Sequence, residues 1–232
     1  MKNIILLFIS VLPVYIILAY VYNKDKEKES RKLLSTLFLK GIASCFPVII
    51  LELCFSLLFP PENEMNTFTL FWYTFLGIAL IEEGYKWFIT YKISYNSHEF
   101  NQVYDGIVYA VFVSLGFACF ENILYVFESG ISTGILRMFL AVPGHACDAI
   151  VMGNYFSLAK ISAISNDKNR EKKNLVLSIL IPTLTHTIYD FCLFTGESIF
   201  LIIFSILVIS IYIYSYQKIK HFSKITTTFN NY

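Results

Sequence analysis

The residues able to do chemistry are few, and each lies in apolar company. Glu82, Glu83 and Lys86 interrupt the run TFTLFWYTFLGIALIEEGYKWFITY. A charged group at mid-membrane costs about 2.5–3.5 kcal/mol on insertion scales, so such groups face partners inside a bundle. On a helix Lys86 is one turn beyond Glu82 and three residues beyond Glu83, and it projects between them. One glutamate would satisfy one lysine. The second carboxylate is surplus, which suits a general base or acid. The blander reading is a structural ion pair with Lys86 reaching toward the membrane surface.

Three later stretches carry the same kind of interruption. GFACFENILY (116–125) holds Glu121 and Asn122. AVPGHACDAIVMG (141–153) holds His145, directly after Pro143 and Gly144, with Asp148 three residues on and placed to orient the imidazole. Pro143 and Gly144 are expected to disturb that helix near mid-span. PTLTHTIYDF (182–191) holds His186 and Asp190, one turn apart, and an aspartate behind a histidine fixes its tautomer. Each also has a packing explanation: Glu121 hydrogen-bonded to a neighbouring helix, His145 as a satisfied core residue, His186–Asp190 as an interhelical clamp.

Together these residues make a hydrolytic set. Glu82 or Glu83 would deprotonate a water and return the proton to a leaving amine. His145 and His186 would stabilise the oxyanion directly, or bind a zinc ion with Glu121 as third ligand; two histidines, one glutamate and an open position form a catalytic zinc arrangement. The chain has no GxSxG, HExxH or GxGD run, so the familiar serine, zincin and aspartyl classes have no support. Asp105, at the start of its span, is expected to cap the helix. Lys40, Glu52 and Arg137 join no motif, although Glu52 could pair with Lys40 or Arg137. His98 and His221 are expected to be solvated.

The elements that must position these groups are membrane spans. The chain is 56% hydrophobic and only 15% charged, and its net charge of +1 gives no reason to expect a nucleic-acid partner. A bilayer core needs roughly 20 apolar helical residues. Seven segments meet or approach that: about 3–22, 35–59, 68–91, 104–127, 135–160, 174–194 and 199–216. The first is read as a retained helix, because its apolar core is too long for a signal peptide and no cleavage site follows. The expected fold is an all-α polytopic bundle, a single membrane domain over 1–232, with the catalytic helices in 68–194.

Basic residues set the orientation. NKDKEKESRK (23–32), NDKNREKK (166–173) and Lys218, Lys220 and Lys224 fall on one side of seven alternating spans, while PPENEMNT (60–67) and TGES (195–198) carry no lysine or arginine. The positive-inside rule places the N-terminus outside and the C-terminus in the cytoplasm. The five cysteines lie in apolar runs with no CxxC pair, which argues against a disulfide framework or a thiolate zinc site. Straight helices would leave Glu121 offset from Glu82 by about 10 Å in depth, a gap that tilt must close if the two share a site.

In order on successive spans, Glu82-Glu83-x-x-Lys86, Phe117-x-x-x-Glu121-Asn122, His145 and His186-x-x-x-Asp190 resemble the PrsW family of bacterial membrane proteases. The resemblance covers roughly 70–195. The CAAX-prenyl-protease and Abi families carry a similar Glu-Glu element, but with EExxxR and FxxxH in place of the EExxK and FxxxEN seen here. The resemblance implies a multi-pass protein of the bacterial cell membrane. It also implies a first, outer-side cut in a single-span anti-sigma factor, which leads to sigma-factor release in a stress response. The alternatives are a CAAX-type or bacteriocin-processing protease, or a proton-coupled transporter or scaffold built on a Glu/His relay.

Overall fold

A computed structural model describes residues 2–225 and Phe229. Among these residues the secondary structure is helical. The helices are α1 (Lys2–Lys24), α2 (Arg31–Ser56), α3 (Thr67–Tyr73), α4 (Leu80–Ser94), α5 (Asp105–Ser129), α6 (Ile131–Phe139), α7 (Ala141–Ile164), α8 (Lys168–Thr195) and α9 (Ser198–Phe222). Six helical stretches are long and apolar enough to cross a membrane, α6 and α7 counting as one. The remaining expected span, 68–91, is one helical rod over 67–94. Its middle, Thr74–Ala79, is a π-helix joining α3 to α4. The architecture is thus the expected all-α polytopic membrane bundle.

Local chemistry sets the helix ends. The side chains of Ser30, Asn66 and Asp167 accept from the backbone N–H groups of Leu33, Thr69 and Arg170. Gly196 closes α8 in the left-handed conformation, φ +63°.

The core is organised around α5, whose residues from Asp105 to Cys119 are almost all buried. Glycines make this possible. A Cβ on Gly41 of α2 would lie 2.1 Å from the Val113 carbonyl oxygen of α5, and one on Gly153 of α7 would lie 2.4 Å from the Gly106 oxygen. Backbones this close need small residues, the usual device where lipid supplies no hydrophobic drive between helices. The apolar side chains of α9, such as Ile202, Ile206, Ile209 and Ile213, are exposed and suit a lipid-facing surface.

The three basic segments gather at one end of the bundle. The Ser30 N–H and hydroxyl donate to Glu99, Tyr95 donates to Glu171, and the Phe229 N–H donates to the Asn101 carbonyl. His98 and His221 are exposed at this end, as expected.

Two local expectations are corrected. The helix break before His145 falls at Leu140 (φ −118°, ψ −65°), not at Pro143–Gly144. Pro143 occupies the first turn of α7, where its missing N–H has no helical partner to lose. Asp105 does not cap α5. Its Oδ2 accepts from the N–H groups of Asn101 and Gln102, at 2.9 and 2.7 Å, and so pins the preceding turn.

Candidate active site

The π-helix precedes the Glu82–Glu83 pair. Its wide turn changes the register of everything after it, a common device at functional sites. Thr74 within it donates to the Leu70 carbonyl at 2.8 Å. Gly77 lies against the Phe55 ring, where a Cβ would come within 2.3 Å of the ring edge. α4 then starts with both glutamates in its first turn, buried at 6% and 0% exposure.

Lys86 is fully buried, and its ammonium has three acceptors: Glu82 Oε2 at 2.8 Å, Glu83 Oε1 at 2.8 Å and His145 Nδ1 at 3.2 Å. It also lies 4.3 Å from the centre of the Phe117 ring. An ammonium only donates, so His145 Nδ1 accepts and its proton sits on Nε2. That Nε2 donates to Glu121 Oε2 at 2.9 Å.

A similar arrangement is found at His186. His186 Nδ1 lies 3.0 Å from Glu83 Oε1, and His186 Nε2 lies 3.2 Å from Asp190 Oδ2. Each histidine therefore turns Nδ1 toward the α4 residues and backs Nε2 with a carboxylate of its own. The two rings are 5.6 Å apart, nearly perpendicular. The expected depth gap between Glu82 and Glu121 is closed by direct contact through Lys86 and His145.

Asp148 does not orient His145. It accepts from the Thr185 hydroxyl at 2.5 Å and lies with Glu83 and His186. Among the described residues two sets bring ligand atoms within 4.8 Å of one another: Glu82, Glu83 and His145, and Glu83, Asp148 and His186. The expected set of His145, His186 and Glu121 does not converge, because Glu121 occupies the outer nitrogen of His145.

Two residues that joined no sequence motif belong here. Arg137 of α6 pairs with Glu121 at 2.9 Å and donates from Nε to Asn122 Oδ1 at 2.9 Å. Glu52 of α2 is partly buried, and its Oε1 has no hydrogen-bond partner. No spacing rule marks either one; an ionisable residue within a span was the only available signal.

Known proteins resemble this chain over most of its length. The PrsW family intramembrane metalloprotease family matches residues 29–215. The chain is similar to Protease PrsW of Oceanobacillus iheyensis, 38% identical over 90% of this chain and 91% of that one. It is 37% identical to Protease PrsW of Bacillus subtilis over 78% and 79%. It is 31% identical to Protease PrsW of Clostridioides difficile over 94% and 93%. No solved structure matches. The chain belongs to the PrsW family of intramembrane metalloproteases, and it is a multi-pass bacterial membrane protease.

Proposed function

We propose that this protease makes the first cut in a single-span anti-sigma factor, on the outer side of the membrane, and so starts the release of a sigma factor. The observation that carries this reading is the depth of the polar network. His145 lies about four residues from the start of α7, and His186 about nine from the end of α8, both at the end opposite the basic segments. At 1.5 Å per residue these are distances of about 6 and 14 Å along the helices. With the basic end cytoplasmic, the bond to be cut lies in the outer half of the membrane.

The residues fit a metal. Glu83 Oε2 is buried without a partner, and beside it stand Asp148 and His186. Nitrogen and carboxylate donors of this kind suit zinc. Asp190 on Nε2 would orient His186 Nδ1 as the ligand. The alternative set of Glu82, Glu83 and His145 surrounds the Lys86 ammonium, which already makes the contacts a cation would make there. We therefore assign the metal to Glu83, Asp148 and His186. When bound, it would polarise the scissile carbonyl and acidify the attacking water.

Glu82 is the proposed base. Only one of its oxygens is tied to Lys86, and it is less sealed than Glu83. It takes the proton from water and passes it to the leaving amine. Lys86 holds fixed positive charge beside the reacting carbonyl, where developing oxyanion charge is stabilised. His145 keeps that ammonium in place by accepting its third N–H.

The test is reconstitution in vesicles with a single-span anti-sigma substrate carrying tags on both ends. The expected result is one new fragment, cut on the outer side and absent with Glu82→Gln. Cleavage restricted to substrates with a C-terminal cysteine motif would move the assignment to the CAAX-type alternative.

A further inference from the structure

Arg137 is the least expected member of the network. α6 is a short helix, and most of its large apolar side chains, Ile131, Ile135, Leu136 and Phe139, are exposed. Arg137 turns inward instead. Its guanidinium meets Glu121 Oε2 at 2.9 Å, donates from Nε to Asn122 Oδ1 at 2.9 Å and stacks 4.2 Å from the Tyr125 ring centre. Asn122 is itself fixed, donating from Nδ2 to the Ser10 carbonyl of α1 at 2.8 Å. Its carbonyl oxygen therefore points at Arg137 and nowhere else.

We propose that Arg137 is a positioning residue that acts through Glu121 to set the tautomer of His145. The chain of contacts runs from the Ser10 carbonyl through Asn122, Arg137 and Glu121 to His145, then to Lys86 and the glutamate pair. Each link constrains the next. The planar guanidinium donates from Nε to the amide of residue 122 and sets its far end against the carboxylate of residue 121 as an ion pair at 2.9 Å. That holds Glu121 Oε2 at His145 Nε2. The histidine proton stays on Nε2, and Nδ1 stays a pure acceptor for Lys86. Without Arg137, Glu121 is the most exposed carboxylate of the network and is free to turn away, with 20% of its side-chain surface open. His145 is then held in that tautomer by the Lys86 ammonium alone, and the form protonated on Nδ1 gains population. The Glu-Asn pair in FENILY thus has a division of labour: Glu121 contacts the imidazole, and Asn122 aims the arginine that steadies it.

This inference rests on the proposed roles of Lys86 and His145, and its test separates the two. The chain has four histidines, two of them exposed, so selective 15N labelling of histidine in detergent resolves the ring nitrogens. Wild type should show His145 protonated on Nε2 alone, and Arg137→Gln should show exchange between both tautomers with His186 unchanged. Cleavage of the single-span substrate should lose about tenfold in kcat, with KM nearly unmoved, typical of a residue that orients a catalytic group. Arg137→Lys should recover part of kcat, since it keeps the charge but not the fork. In a Glu121→Gln background, Arg137→Gln should have no further effect. A wild-type tautomer in Arg137→Gln overturns the proposal whatever the activity does. If Arg137→Gln does not fold, the spectrum of Arg137→Lys decides, and an unperturbed His145 in it counts against the proposal.

Discussion

His145 and His186 present the same ring atom, Nδ1, to α4, and each has a carboxylate on its Nε2, Glu121 at 2.9 Å and Asp190 at 3.2 Å. The inner partners differ. His186 faces a carboxylate oxygen of Glu83, whereas His145 faces the ammonium of Lys86. The two imidazoles therefore share the ring nitrogen they turn to α4 but differ in what they can bind, which is why the metal is proposed on the His186 side.

That difference predicts a division between mutants. His186→Ala and Asp148→Asn should lose both the metal and cleavage. His145→Ala should lose cleavage and keep the metal. Elemental analysis of the three purified variants checks this; equal metal loss in all three would place His145 among the ligands instead.

Lys86 should be the most costly single charge to remove. Lys86→Met leaves two buried carboxylates facing each other with no counter-charge, a defect of roughly 3–5 kcal/mol for a broken buried pair. Thermal unfolding in detergent should show a large drop, partly recovered by Glu82→Gln in the same chain. Unchanged unfolding would mean that water reaches the pair.

Helix contact should tolerate no added side chain at Gly153. The valine variant must push its methyl groups into the Gly106–Ile107 backbone, and overpacking of this kind costs about 1–3 kcal/mol. Reduced yield and melting temperature are expected, together with weaker activity, because α7 carries His145 and Asp148.

The basic end should respond to pH through Glu29. Burial, then the charges of Asp25 and Glu99, push its carboxyl up to about 7 from an ordinary 4.5, although Tyr109 donates to it. The folded protein then binds a proton that the unfolded chain releases. The stability this group contributes is full below about 4.5 and is lost as pH rises through about 7. Glu29→Gln, a mimic of the protonated form, should flatten the melting temperature across that window. An unaltered pH profile would remove Glu29 from this role.

Much of this was legible in the sequence because bilayers punish polarity. Glu82, Glu83, Lys86, Glu121, His145 and His186 stood out as polar groups in apolar runs, and all six are in one network. The spans were legible from length and apolarity, and the common end of the basic segments from their charge. What the sequence hid was relational. Nothing in FLGIA marks a π-helix. Asp148, three residues from His145, looked like its partner; packing of α7 against α8 gives it to Thr185 and His186. Arg137 has no local motif because its partners come from a different helix.

In the proposed mechanism a buried metal held by Glu83, Asp148 and His186 serves a water activated by Glu82. The most direct measurement is zinc content and anti-sigma cleavage on the same purified samples of wild type, Glu82→Gln and His186→Ala. Near-stoichiometric zinc is expected in wild type and Glu82→Gln, none in His186→Ala, and cleavage by wild type alone. Cleavage by zinc-free wild-type protein that withstands chelators would contradict it.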